Sequence, residues 1–90
     1  MDALLQRIIA GDPDAFGRWI AGAEPSLRKT LRPFAALVDA EAVLQEGLLR
    51  VWQVAPRFVP DGQPNALLRF AVTTVRNAAI SELRRSAPTK

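Results

Sequence analysis

Apolar residues recur at spacings of three and four along most of this 90-residue chain, and this period constrains the fold more than any other feature. No segment sustains the alternation of apolar and polar residues that marks a half-buried strand. The sequence therefore predicts an all-α domain, a compact bundle of four to five helices. The longest apolar stripe consists of Phe16, Trp19, Ile20, Ala23, Leu27, Leu31 and Phe34.

Cap and breaker residues place the first two helices. A short helix is predicted from Ala3 to Ala10, where Gly11 ends it. Asp12 and Pro13 form a strong start signal, because aspartate caps helix N-termini and proline fits the first helical position. Pro25 removes one backbone hydrogen bond from the helix that follows. The sequence therefore predicts either one helix kinked at Pro25 or two helices joined there.

The second half of the chain holds two helices and the one long loop. Asp39 can cap a helix that runs to about Ala55 and is ended by proline. The segment from Pro56 to Asn65 contains three prolines and one glycine, and long loops of small domains are commonly functional. A last helix is predicted from about Pro64 to Arg85. We expect one domain over residues 1–86 and the start of a linker or tail over residues 87–90.

Composition excludes several classes of function. The chain has no cysteine, histidine or tyrosine, and its glycines are dispersed, so thiol, imidazole and phosphate-loop chemistry have no residues to carry them. We expect no catalysis, metal, cofactor or small-molecule substrate. The N-terminal stretch resembles neither a signal peptide nor a membrane span, which predicts a cytoplasmic protein without a membrane partner. A net charge of +3 and a pI near 10.6 weakly favour an anionic partner.

The third predicted helix has an unusual outer face. On a helical wheel of about 100° per residue, the segment DAEAVLQEGLLRVW from Asp39 to Trp52 divides into an apolar half and an outer half. Two of the outer side chains are apolar, although a solvent face should be polar throughout. Two interpretations are open: a packing contact with the first helix or a second molecule, or a docking surface for a partner protein. The outer positions are Ala42, Gln45, Glu46, Leu49 and Gln53.

The last predicted helix carries a basic strip about 100° wide on the side opposite its apolar arc. Glu82 is the only acid in this helix, so the strip lacks the i, i+4 Glu–Arg pairs of a merely soluble surface. Arginine suits phosphate and asparagine suits a base edge, so the strip is either a solvated face or a nucleic-acid surface. Both tryptophans lie on core stripes. The strip consists of Arg69, Thr73, Arg76, Asn77, Ile80 and Arg84.

The order of these segments resembles region 2 of bacterial RNA polymerase sigma factors, specifically the extracytoplasmic-function (ECF) group. The resemblance runs from about Leu4 to Arg85. It rests on LLQRIIAGDPDAFGRWI, then DAEAVLQEGLLRVW, then the proline-rich loop, then FAVTTVRNAAISELRR. It implies the all-α fold of sigma region 2.

The resemblance also implies two partners. The family's third helix docks on the coiled coil of the polymerase β′ subunit, and the matching positions are Ala42, Gln45 and Glu46. The loop and the exposed side of the last helix open the promoter −10 element and hold its non-template strand, with bases flipped into pockets. The implied DNA-binding positions are Asp61, Gln63, Asn65, Arg69, Thr73, Arg76 and Asn77, and Arg84 extends the strip.

The chain also departs from the family pattern. Ala42 stands where the family usually has aspartate, Phe70 where tryptophan is common, and Ser81 where aspartate is frequent. No segment matches region 4, which reads the −35 element, so we expect a domain of a longer protein, with a stand-alone or degenerate sigma-like protein as the alternative. A second hypothesis is a sigma-like interaction module that binds polymerase or an anti-sigma protein without reading DNA. Double-stranded DNA binding is disfavoured, because the last helix buries too much of its circumference.

Overall fold

The computed structural model describes residues 2–86, and within that range it contains four α-helices and no strand. Single 3-10 turns precede α1 and follow both α2 and α3. The all-α fold expected from the sequence is confirmed, whereas the expected tail at residues 87–90 lies outside the described residues. The helices are α1 (Leu5–Ile9), α2 (Pro13–Leu31), α3 (Ala40–Val54) and α4 (Ala66–Ser86).

Both predicted aspartate caps are confirmed. The Asp12 carboxylate accepts hydrogen bonds from the backbone amides of Asp14 and Ala15, at 3.0 and 3.2 Å, and so begins α2. Asp39 does the same for α3 by accepting from the amide of Ala42 at 3.1 Å. Each cap satisfies amide donors that the first helical turn leaves without a partner.

Helix α2 continues through Pro25 as one uninterrupted helix, so the alternative of two joined helices is wrong. The proline ring is exposed, and Ala23 and Leu27 on either side of it are fully buried. A proline removes only one hydrogen bond from the helix. The buried contacts on both sides stabilise the helix despite the missing hydrogen bond. The rule that proline breaks a helix considers only the local sequence and does not include such tertiary contacts.

Helix α4 is the central element, because both α2 and α3 lie against it. Trp19 is 2 % exposed and belongs to the core, as predicted, while Trp52 is half-buried at its edge. The ring of Phe16 stacks on both tryptophans, with ring centroids 5.7 Å from Trp19 and 4.8 Å from Trp52. This arrangement leaves the outer face of α3 and one side of α4 available at the surface.

Helices α3 and α4 approach each other closely at Gly47. A Cβ atom on this glycine would lie 2.5 Å from Cγ1 of Val75 and 3.3 Å from its Cα. No side chain fits there without moving the helices apart. Gly47 therefore fixes the spacing between the two helices that carry the predicted surfaces.

Candidate functional site

The outer face of α3 is fully accessible. All five predicted docking positions are exposed, and Leu49 is 56 % exposed, which is high for a leucine in a small domain. This face therefore does not pack against α1, which excludes a packing contact with the first helix as the reason for its apolar residues. The exposed positions are Ala42, Gln45, Glu46, Leu49 and Gln53.

The predicted strip on α4 also lies at the surface. Ile80 is half-buried, whereas the polar members of the strip are exposed. Among residues 2–86, neither Arg76 nor Arg84 forms an ion pair. These two guanidinium groups are therefore available to an external anion. The exposed members are Arg69, Thr73, Arg76, Asn77 and Arg84.

Arg69 differs from the other arginines of the strip, because it is already paired. Its Nη1 and Nη2 atoms donate to the two carboxylate oxygens of Asp61 at 3.1 and 2.8 Å. The sequence predicted only that the strip lacks i, i+4 pairs within the helix, and this pair is of a different kind. The acid comes from the preceding loop rather than from the helix, so an i, i+4 inspection of α4 cannot find it.

The loop before α4 is folded back on itself around Asp61. One of its carboxylate oxygens accepts a hydrogen bond from the amide of Gln63 at 3.0 Å. Gly62 and Asn65 both have positive φ, at 81° and 57°, which these residue types tolerate best. The Arg69 guanidinium holds the pKa of Asp61 down at about 2, with a smaller contribution from the Gln63 amide. Asp61, Gln63 and Asn65 are all exposed.

A pocket of about 300 Å³ lies between this loop and α4. The ring of Phe58 contacts that of Phe70, with centroids 5.5 Å apart, and Val59 is 83 % exposed. An apolar pocket with a few polar groups at its edge is the usual form of a binding site. Phe58 and Val59 were not among the predicted contact residues, although the two apolar residues between prolines in PRFVP were the available signal. The lining includes Phe58, Val59, Asp61, Arg69, Phe70 and Thr73.

The two predicted surfaces meet at a second groove, of about 460 Å³, between α3 and α4. Glu46 from the docking face and Asn77 from the basic strip both line it. Arg50 and Ser81, which the sequence did not single out as contact residues, line the same groove. A ligand in this groove would therefore contact residues of both surfaces.

A third groove, of about 700 Å³, lies on the surface between α2 and α4. Lys29 lines it together with Arg69 and Thr73. The neighbouring basic residues Arg28 and Lys29 have different surroundings. Arg28 is held by the carboxylates of two acids, at 2.7 Å from that of Glu24, while Lys29 faces the basic strip.

This set of features defines an all-α binding domain, with one accessible helix face, one basic strip and no buried polar side chain among the described residues. The sequence profile of the sigma-70 region 2 family matches residues 24–89, which is most of the chain. The chain belongs to the sigma-70 region 2 family. No curated protein and no solved structure matches it.

Family membership gives the general activity. Region 2 is a non-catalytic domain of transcription initiation that acts in promoter recognition and RNA polymerase binding. The match begins at Glu24, within α2, so α1 and the first half of α2 lie outside it. Within residues 2–86 no helix is both long and apolar enough to cross a bilayer.

Proposed function

We propose that this chain is the promoter-opening domain of an ECF-group sigma factor. In this proposal the outer face of α3 docks on the β′ coiled coil of RNA polymerase. The loop and the basic strip of α4 hold the non-template strand of the −10 element in single-stranded form. The observation that carries the proposal is that the helix lining the loop pocket also carries two exposed arginines, Arg76 and Arg84, that have no ion pair among the described residues. A cytoplasmic location goes with these partners.

The polymerase contact is supported by the chemistry of the exposed α3 face. Leu49 supplies apolar area at the middle of the face, while Gln45, Glu46 and Gln53 supply hydrogen bonds around it. Glu46 forms no ion pair within residues 2–86, so its carboxylate is open to a cation on the partner. Ala42 lacks the acid usual in the family, so this interface relies more on Leu49. The same face is a candidate surface for an anti-sigma protein.

The DNA contact divides into phosphate and base interactions. Arg76 and Arg84 are the phosphate contacts, because their guanidinium groups are exposed and have no ion pair among residues 2–86. Thr73 lines the loop pocket and Asn77 the adjoining groove, where each can hydrogen-bond a base. An unstacked base costs a few kcal/mol to expose, and pocket contacts must offset that cost. The full proposed DNA surface is Asp61, Gln63, Asn65, Arg69, Thr73, Arg76, Asn77 and Arg84.

Fluorescence anisotropy with short single-stranded oligonucleotides tests the DNA contact. We expect the double variant Arg76→Ala, Asn77→Ala to bind more weakly than the wild-type chain. Arg18→Ala serves as a matched control, because Arg18 lies on the exposed surface of α2 near Asp14, 3.6 Å away. Equal binding by the wild-type chain and the double variant would contradict the DNA-reading role. Binding of every sequence with the same affinity would contradict it as well.

The alternative function is a helical module that binds polymerase or an anti-sigma protein without reading DNA. The pairing of Arg69 with Asp61 favours it, because that pair removes one positive charge from the strip. A pull-down against the β′ coiled-coil fragment, combined with the anisotropy experiment, separates the two functions. Retention by the fragment without oligonucleotide binding would establish the alternative.

A further inference from the structure

Asp61 and Arg69 form the most extensive side-chain network at the loop. Besides its two bonds to the Asp61 carboxylate, Arg69 donates from Nε to the backbone oxygen of Pro64 at 3.2 Å. Asp61 in turn holds the Gln63 amide. One guanidinium group thus connects both ends of the segment 61–64 to the first turns of α4.

This network has a different electrostatic character from the rest of the strip. Three nitrogen atoms of Arg69 already donate within the chain, and the Asp61 carboxylate offsets its charge. A phosphate approaching Arg69 would have to displace a bidentate carboxylate, which is the geometry that guanidinium binds best. Arg76 and Arg84 present no such competition.

Both residues also line the loop pocket. The pair therefore forms part of its wall, and the position of the wall depends on the pair remaining closed. Gly62 and Asn65 have left-handed backbone conformations, so the loop contains local turns that other contacts must hold in one arrangement. The salt bridge spans these turns.

We propose that Asp61 and Arg69 are positioning residues, which fix the loop and the pocket wall so that the domain discriminates between bases, rather than direct contacts to DNA phosphate. This inference rests on the proposed DNA-reading function and refines it. The pair is about half exposed on both sides, and exposed ion pairs contribute little to folding. Loss of the pair therefore affects base selectivity and leaves the fold intact.

The test compares selectivity with general affinity, using the complete 90-residue chain. The probes are a single-stranded DNA of about ten nucleotides that the wild-type chain enriches from a randomised pool, and its scrambled version. The variants are Asp61→Asn, Arg69→Gln and both together. Asp61→Asn keeps an oxygen that can accept from the Gln63 amide, so it removes the charge of the pair without removing the acceptor.

We expect each single variant to lower the affinity ratio of enriched to scrambled probe by about tenfold. The double variant should lower it no further, because both substitutions remove the same interaction. Affinity for the scrambled probe and its salt dependence should stay unchanged. The Gln63 amide should exchange its hydrogen faster in all three variants, as measured by NMR, while circular dichroism remains that of the folded chain.

Arg84→Gln is the matched control, since Arg84 is an exposed arginine with no ion pair among residues 2–86. It should weaken binding of both probes alike and reduce the salt slope by about 0.7, as expected for one phosphate contact to a single strand. The comparison with Arg69→Gln then separates a phosphate contact from a positioning residue.

Three results would overturn the inference. In the first, Arg69→Gln behaves like Arg84→Gln while Asp61→Asn tightens binding of both probes, which would make Arg69 a phosphate contact. In the second, the variants keep the wild-type selectivity or the wild-type exchange at Gln63, so that the pair does not set the loop. In the third, the wild-type chain enriches no sequence, and the proposed function fails together with the inference that depends on it.

Discussion

The arginines on and around α2 differ in their ion pairing from those on α4. Around α2, Arg7 meets Asp12 at 2.7 Å, Arg18 lies 3.6 Å from Asp14, and Arg28 is held by two carboxylates. On α4, Arg76 and Arg84 have no ion pair within residues 2–86. Arg69 and Arg85 of α4 are paired with Asp61 and Glu82, so the difference between the two surfaces lies in Arg76 and Arg84.

This difference in ion pairing indicates which surface can bind an anion. The Arg7 guanidinium lowers the pKa of Asp12, and that of Arg28 lowers the pKa of Glu41, so these charges are satisfied within the chain. A phosphate gains little at such a site, because it would have to compete with a bonded carboxylate. Lys29 is the exception on α2, and it faces the groove beside α4.

The largest expected effect on DNA affinity comes from replacing both Arg76 and Arg84 of the basic strip. We expect Arg76→Gln with Arg84→Gln to weaken single-stranded DNA binding by about a hundredfold, because each arginine gives a charge-assisted hydrogen bond to phosphate. The salt slope should fall by about 1.4. Fluorescence anisotropy at several salt concentrations measures both quantities.

The control is the same change of net charge on the other surface, Arg7→Gln with Arg18→Gln. It should alter DNA affinity only slightly, because charges farther away than about 10 Å are largely screened at 0.1 M salt. If both double variants lose the same affinity, the contrast between paired and unpaired arginines has no functional meaning.

A second prediction compares the effect on polymerase binding of a new aspartate on α3 with that of a new aspartate on α2. Restoring the family's acid by Ala42→Asp should tighten binding to the β′ coiled-coil fragment by about tenfold, since a hydrogen bond to a charged group contributes about 1.5–3 kcal/mol. Ala21→Asp, at an exposed position on α2, makes the same change outside the docking face. Biolayer interferometry with the fragment measures both. Unchanged affinity for Ala42→Asp would count against docking through this face.

Gly17 and Gly47 differ in the space around them, because one lies on an exposed helix surface and the other at a helix–helix contact. Gly17 on α2 has nothing within 4 Å of a new Cβ atom, whereas Gly47 on α3 meets Val75. Gly17→Ala should raise the free energy of unfolding by about 0.5–1 kcal/mol, because alanine favours the helix. Gly47→Ala should lower it by about 1 kcal/mol, since overpacking of about 1–3 kcal/mol outweighs the same helical gain. Urea denaturation measures both changes, and stabilisation by Gly47→Ala would show that α3 and α4 separate at little cost.

Much of the fold was predictable because its signals are local. The helix caps at Asp12 and Asp39 each depend on a carboxylate and amides two or three residues away. The exposed face of α3 follows from helical period alone. The uninterrupted course of α2 at Pro25 was not decided by the sequence, because it depends on tertiary burial of the flanking residues.

The candidate site was predictable only in part, because some of its contacts are tertiary rather than local. The exposed arginines of α4 follow from the wheel, but the partner of Arg69 does not, because Asp61 is eight residues away across a loop. The pocket at Phe58 and Val59 likewise forms only when the loop lies against α4. Contacts between a loop and a helix depend on loop conformation, which neither period nor propensity determines.

The smallest effect we predict is a change in one pKa, and it tests the contact that the sequence missed. Asp61 should titrate with a pKa of about 2 in place of 3.8, and Arg69→Gln should bring the pKa back towards 3.8. The same substitution should leave the pKa of Asp12 low, because Arg7 is the main cause there. Carbon-13 NMR of the aspartate carboxyl groups measures both values in one titration.

The sign of the linked effect follows from the lowered pKa of Asp61. A carboxylate whose pKa is depressed in the folded chain stabilises it above the unfolded pKa, and that contribution is lost as the pH falls through the folded value. The pair should therefore stay closed at neutral pH and open between about pH 4 and pH 2. Faster exchange of the Gln63 amide in that window, beyond the intrinsic pH dependence, would mark the opening. A wild-type Asp61 that titrates near 3.8 would mean that the pair is open in solution, and the loop would then need another contact to hold it.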